Sequence, residues 1–351
     1  MKKNNTTMRI LFAFFLLFIA GCSAEEEATL LEEPYDQTEF LMGTYVSLRV
    51  YDEGKEEVMD EAFERVAELE QQIGMNIDSS EIAEINAAAG EQPVSVSDDV
   101  YELLEVSADY SALSNSGFDY TIGPITNLWR IGFDDARVPE PEEVEAVLPL
   151  VDHEKVELNV EDQSIYLTDS DMVLDLGAIA KGYITDEVKE VFQDNNVSTA
   201  IMDLGGNVVV MGDSPTREDG GFNVGVQDPY SDRGNYVGAM NLSDKSIVTS
   251  GIYERYIEED GEIYHHLMNP ETGYPFDNNL ASVTILSDES IDGDALSTVV
   301  FGFGLEDGLE YIDNQEDIEA IFITKDYEIY LSSGISEDFT LTNDAYTVIE
   351  Q

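Results

Sequence analysis

Residues 175–185 read Asp-Leu-Gly-Ala-Ile-Ala-Lys-Gly-Tyr-Ile-Thr. A carboxylate interrupts the apolar run 172–176 (MVLDL), two glycines and two alanines then surround Lys181, and a helical pattern spans about 179–193. A strand that delivers small residues into a helix start makes a turn whose backbone N–H groups a phosphate can approach. The stretch satisfies neither G-x-x-x-x-G-K-[ST] nor G-x-G-x-x-G. Alone it leaves two readings open: a phosphate-facing turn, or a tightly packed strand-to-helix junction.

The flanks are richer in strands than in βαβ units. KVELNV (155–160) and SIYLT (164–168) precede the stretch; TAIMDL (199–204) and NVVVMG (207–212) follow, joined by Gly205-Gly206. FNVGVQ (222–227), YVGAMNL (236–242) and SIVTS (246–250) continue the sheet, and IEAIFIT (318–324), YEIYLS (327–332) and YTVIE (346–350) end it. Near the start, MGTYVSLRVY (42–51) alternates as a strand. Residues 55–72 place Val58, Met59, Ala62, Phe63, Val66 and Leu69 on one helical face. Further helices are expected at about 98–114 and 293–314, with a short piece within 79–90, and Pro139-Glu-Pro141 marks an insertion or linker. The pattern is α+β, with mixed, largely antiparallel sheets and flanking helices.

The first residues belong to no fold. Lys2, Lys3 and Arg9 precede the apolar run 10–20, which has signal-peptide proportions and is short for a bilayer span. It ends at Cys22, the only cysteine among 351 residues. F-I-A-G-C resembles a bacterial lipobox. That resemblance implies a lipoprotein signal peptide (1–21), lipidation of Cys22, including palmitate, and an extracytoplasmic protein anchored to the bacterial cell membrane. Residues 22–38 read as an acidic tether and 39–351 as the domain. One cysteine excludes an internal disulfide and a thiolate metal cluster. The chain carries 75 acidic and 16 basic residues, a net charge of −59, and removing residues 1–21 deepens it to −62. Nucleic acid is therefore excluded as a natural partner. An anionic substrate would need a cation to screen it.

Two further stretches carry chemistry. Residues 264–275 (YHHLMNPETGYP) hold two of the three histidines; on a strand His265 and His266 point to opposite faces, so both cannot ligate one metal. Residues 293–298 (GDALST) place Asp294 and Thr298 four apart, on one face of a helix if they open one, where both can offer oxygen to Mg²⁺.

In order, M42-G-T, G117-F-D-Y-T-I-G-P124, D175-L-G-A-I-A-K-G-Y183, D203-L-G-G-N207, V224-G-V-Q-D-P229, T249-S-G251, H266-L-M-N-P-E-T-G273 and D294-A-L-S-T298 resemble the ApbE family across roughly residues 39–331. The resemblance implies a T-fold-like α+β architecture. It implies Mg²⁺-dependent transfer of FMN from FAD to a threonine or serine hydroxyl of an acceptor flavoprotein (protein flavinylation), with release of AMP. Acceptors in the family belong to membrane electron-transfer complexes or secreted reductases. A Mg²⁺-dependent FAD pyrophosphatase and a non-catalytic FAD-binding lipoprotein are the alternatives. Carried over by position, Met42, Gly117, Phe118, Asp119, Asp175, Lys181 and Met268 contact FAD. The Ala178 carbonyl, Asp294 and Thr298 hold Mg²⁺. Asp294 and His266 are both candidates for the base, and Phe118 or Tyr120 for the ring pocket. Asn269 and Ile252 depart from the family's usual residues.

Overall fold

The computed structural model describes residues 29–113, 117–218, 220–335 and 338–349. The signal peptide (1–21) and Cys22 lie outside the described residues, and no described helix is long and apolar enough to cross a membrane.

The eight α-helices of the described residues are α1 (Val58–Ile73), α2 (Glu81–Ala87), α3 (Asp98–Ser111), α4 (Gly123–Trp129), α5 (Pro141–Val147), α6 (Ala180–Asp194), α7 (Ser290–Phe303) and α8 (Leu305–Asp313). A nine-stranded sheet runs β1 (Leu30–Leu41), β2 (Thr44–Asp52), β6 (Ala200–Leu204), β7 (Asn207–Met211), β10 (Lys245–Gly251), β13 (Leu280–Ser287), β14 (Glu319–Thr324), β15 (Glu328–Leu331), β17 (Thr347–Val348). Every neighbouring pair in it is antiparallel except β15 with β17. Three small sheets complete the fold: β3 (Val94–Ser95), β5 (Ser164–Leu167) and β4 (Val156–Asn159); β16 (Phe339–Leu341), β9 (Tyr236–Leu242) and β8 (Phe222–Gln227); and the hairpin β11 (Tyr256–Glu259) and β12 (Glu262–His265). The mixed α+β class with antiparallel sheets is as expected.

The large sheet is covered on both faces, so its central strands alternate between two apolar cores. On β14, Ala320 and Phe322 join the core under α1, α6 and α7, while Ile321 and Ile323 join Phe222, Val226, Val237 and Met240 of the small sheet. β13 is buried at all eight positions. With both faces covered it has no exposed side, and its buried Ser282 and Thr284 break the apolar run, so Leu280–Ser287 is absent from the strands expected above.

Other boundaries differ for physical reasons. The tether does not extend to residue 38: β1 begins at Leu30 and pairs with β2 from Tyr35↔Val50 to Leu41↔Thr44. As an edge strand it is mostly exposed, so its acidic residues face water and mask its pairing. The run 172–176 forms no strand; it makes the isolated bridge Ile122↔Val173, and Asn86 bonds both the N–H and the carbonyl of Leu174, at 2.7 and 3.2 Å. The helix expected over 293–314 is two, broken at Gly304 with φ +80°. Residues 293–298 do not open a helix either. Helix α7 starts at Ser290, where Asp186 of α6 accepts the N–H groups of Ser290 and Ile291 at 2.7 and 2.8 Å, so Asp294 lies in the second turn. Pro139-Glu-Pro141 leads into α5, with Pro141 at its first turn.

Helices α6 and α7 touch where their backbones come closest. A Cβ on Gly182 would stand 2.6 Å from Ile291 Cα and 2.8 Å from Asp294 Cβ, and would also strike the Ser290 carbonyl. Gly182 is small because a helix lies against it. Gly177 differs: a Cβ there would meet only Asp175 Oδ1, at 3.1 Å. Gly182→Val should therefore lower unfolding stability in a urea titration by about 2–3 kcal/mol, through overpacking against main chain. Gly177→Ala should cost under about 1 kcal/mol; equal losses would refute this assignment of the two glycines.

Candidate active site

A cleft of about 1140 Å³ opens beside α6 and α7 and gathers residues distant in sequence. Met42, Gly117, Phe118, Asp119, Asp175, Ala178, Lys181, His266, Met268, Asp294 and Thr298 all line it. Tyr120 does not: it is fully buried in the main core, so of the two proposed ring-pocket residues only Phe118 reaches the cleft.

Asp294 is the electrostatic centre. It is 4 % exposed, and its carboxylate accepts Lys181 Nζ at 3.0 and 3.2 Å and the Gly182 N–H at 2.9 Å. That last bond has a consequence. In a regular helix the Gly182 N–H would donate to the Ala178 carbonyl. Here it turns to α7, and among the described residues nothing donates to the Ala178 carbonyl, which is left at the cleft. The Thr298 hydroxyl, one helical turn beyond Asp294, likewise has no hydrogen-bond partner among the described residues. Behind them, Ser297 donates to the Asp294 carbonyl at 2.8 Å and meets Ser250 at 2.7 Å, joining α7 to β10.

The donor set is thus a main-chain carbonyl, a carboxylate and a hydroxyl. All are hard oxygens, which suits Mg²⁺. No group of three or more His, Cys, Asp or Glu that could hold a metal occurs among the described residues. A cation here would need further oxygens from water or substrate, as Mg²⁺ commonly takes. The residues fit that ion, with Lys181 now holding the carboxylate it would use.

Asp175 is engaged from both sides: it accepts Thr126 Oγ1 at 2.6 Å and the Gly177 N–H at 2.9 Å. These bonds tie α4 to the turn before α6. Asp119 accepts the Thr121 N–H and hydroxyl at 2.8 and 2.6 Å and pairs with His153 Nδ1 at 3.0 Å, so much of its bonding capacity is spent inside the fold. Met42 sits in the β1–β2 turn at φ +53°, a left-handed conformation that strains a non-glycine residue. Glu70 of α1 holds it by accepting its N–H at 2.7 Å. Sequence reasoning missed Glu70; only the fold brings it across 28 residues.

The two histidines diverge as expected. His265 is buried and donates Nε2–H to the Phe276 carbonyl at 3.1 Å. His266 lines the cleft and donates Nδ1–H to the Arg255 carbonyl at 3.2 Å, leaving Nε2 as its basic nitrogen. Burial, joined for His266 by the charge of Arg255, pulls both imidazoles down to about 4. Asn269 keeps its turn despite lacking charge, since its amide oxygen accepts the Glu271 N–H at 2.8 Å. Ile252 packs against the main core.

The ApbE family model matches residues 42–322, and the chain belongs to that family. It is 38 % identical over 316 residues to an FAD:protein FMN transferase of Klebsiella pneumoniae (strain 342), covering 90 % of this chain and 97 % of that one. It is 34 % identical over 332 residues to the FAD:protein FMN transferase of Treponema pallidum, covering 90 % and 91 %. Among solved structures, the ApbE protein of Thermotoga maritima superposes with a TM-score of 0.80 at 25 % identity, over 87 % of this chain and 99 % of that one. The flavin transferase ApbE of Vibrio cholerae gives a TM-score of 0.76 at 23 % identity, with the same coverage.

Both imidazoles should stay neutral through mild acid. In an NMR titration their midpoints are expected near pH 4, not at the ordinary 6.5. The folded values lie below the unfolded one, so their contribution is fully present above about pH 6.5 and is lost as pH falls toward 4. Relative to a His265→Phe variant, wild-type stability should decline across that window; parallel curves would refute the assignment.

Proposed function

We propose that this protein transfers FMN from FAD to a threonine or serine hydroxyl of an acceptor flavoprotein, with Mg²⁺, releasing AMP. The observation that carries the reading is the cleft of about 1140 Å³ around Asp294, lined by this buried carboxylate, Lys181, and a main-chain carbonyl and a hydroxyl that have no hydrogen-bond partner among the described residues. That volume is at the large end for ligand sites and suits a dinucleotide. The FMN transferase activity of curated relatives that match along most of their length supports the same reading.

The reaction joins the acceptor oxygen to the phosphorus of the FMN half. The bond from that phosphorus to the bridging oxygen breaks, and AMP leaves with that oxygen. Asp294, the Ala178 carbonyl and the Thr298 hydroxyl would hold Mg²⁺. When bound, it supplies charge that neutralises the pyrophosphate and polarises the attacked phosphorus. Freed from Asp294, Lys181 binds phosphate oxygens. Neutral His266 takes the proton from the acceptor hydroxyl through Nε2, the nitrogen left open by its Nδ1–H bond to the Arg255 carbonyl. Asp294, held by Lys181 and a main-chain N–H, serves better as a cation ligand than as a base. The Met42 turn and Phe118 contact the flavin nucleotide along the cleft.

The lipobox at Cys22 supports an extracytoplasmic protein anchored to the bacterial cell membrane through lipid. Its acceptor is then an extracytoplasmic flavoprotein, in a membrane electron-transfer complex or a secreted reductase.

The test is intact-mass spectrometry of an FMN-acceptor domain incubated with the protein, FAD and Mg²⁺, with free AMP followed in parallel. One FMN added per acceptor, AMP released, and both lost with chelator is the expected result. AMP and free FMN with an unmodified acceptor would mean hydrolysis; bound FAD with no AMP would mean a binding protein. Asp294→Asn should lower turnover at least about 100-fold and abolish Mg²⁺ binding by calorimetry. Unchanged Mg²⁺ affinity would refute the ligand assignment.

A further inference from the structure

The transfer reading uses Lys181 as the only cationic side chain on the substrate, yet a second one stands free in the same cleft. Arg255 precedes the β11–β12 hairpin and lies opposite His266. The His266 backbone N–H donates to the Arg255 carbonyl at 3.1 Å, and its ring Nδ1–H at 3.2 Å. These bonds pin the arginine's main chain at the cleft wall. Its stem runs over Gly132, where a Cβ would stand 3.0 Å from Arg255 Cδ. A side chain at 132 would crowd that path.

The guanidinium itself has no ion pair or hydrogen bond among the described residues. Other cations are held: Arg49 by Asp36 at 2.6 Å, Arg65 by Asp99 at 2.6 Å and also by Glu187, Arg233 by Glu254 at 2.6 Å, and Lys245 by Asp288. Lys55 and Lys325 bond main-chain carbonyls at 2.6 and 2.7 Å. With 75 acids to 16 bases, a cation in this chain finds an oxygen partner, usually a carboxylate, unless its place keeps it apart. Arg255, Lys181 and His266 all line the one cleft, so two cations from separate elements share it with the imidazole.

We propose that Arg255 is a pyrophosphate-binding residue, closing with Lys181 a two-cation clamp on the phosphates of the dinucleotide. The proposal rests on the FAD reading above. A guanidinium offers a planar pair of donors that matches two phosphate oxygens, which an ammonium does not. As the acceptor oxygen bonds to phosphorus and the bridging oxygen departs with AMP, negative charge grows on the leaving phosphate. The hydroxyl proton moves to His266. Arg255 stabilises the growing charge without giving up a proton.

The experiment compares wild type, Arg255→Gln and Arg255→Lys. FAD and riboflavin affinities are measured by flavin fluorescence, with Mg²⁺ and with chelator, and transfer kinetics are measured for FAD and for acceptor. Riboflavin lacks the pyrophosphate. Arg255→Gln should weaken FAD by about tenfold or more, with riboflavin affinity unchanged. It should lower kcat/KM for FAD by about 100-fold and leave KM for the acceptor unaltered. Arg255→Lys should recover part of the FAD affinity. A raised acceptor KM with unchanged FAD affinity would overturn the proposal in favour of a contact to the acceptor protein. Equal losses for FAD and riboflavin would assign Arg255 to the shape of the cleft, and no change in either would make it a solvated side chain. Wild type that binds FAD but transfers nothing would overturn the transfer reading alone, because the comparison of FAD with riboflavin needs no turnover.

Discussion

The structure turns on the contact between α6 and α7 at Gly182 and Asp294. A glycine lets two helices meet backbone to backbone, and the closeness lets a main-chain N–H of one reach a buried carboxylate of the other at 2.9 Å. Burying a carboxylate without partners would be costly, but this one has a main-chain donor and an ammonium. The same N–H is withdrawn from its own helix, and the Ala178 carbonyl is left with no donor among the described residues. One packing event therefore creates a close helix contact, the buried charge and the open oxygen of the site.

Charge distribution explains how so acidic a chain can hold an anionic dinucleotide. The cleft is lined by Arg49, Arg130, Lys181, Arg233 and Arg255, against Glu70, Asp119, Asp175, Asp203, Glu254 and Asp294. Five cations nearly balance six carboxylates there, while acids outnumber bases 75 to 16 over the chain. Charges of both signs there are also paired inside the fold: Glu254 with Arg233, Asp294 with Lys181, Arg49 with Asp36 and Arg130 with Asp135. The field met by a ligand in the cleft is thus much weaker than the net charge suggests.

The secondary structure was legible where one face is wet. The stripe Val58, Met59, Ala62, Phe63, Val66, Leu69 located α1; five of the six are buried and Val58 is half-buried. β13 escaped because a strand buried on both sides has no exposed face and its buried Ser282 and Thr284 interrupt the apolar run, and β1 escaped because an edge strand lined with acids looks like a tether. At the site, the ordered motifs brought all eleven expected residues to one cleft. Tyr120 failed because it lies in the core beyond the wall of the cleft. Glu70 and Arg255 carried no local signal, since in a chain with 75 acids a single glutamate says nothing, and a free arginine is free only once every neighbour is placed.

The sequence by itself determined the class of fold, the family and the small-residue turn flanked by Asp175 and Lys181, because these depend on local pattern and on the order of motifs along the chain. Only the tertiary structure decided why position 182 is a glycine, which carboxylate Lys181 holds and which oxygens stay unbonded. Those are relations between segments over 100 residues apart, such as Lys181 with Asp294, and a donor's loss from its own helix is visible only when the acceptor in another helix is in place.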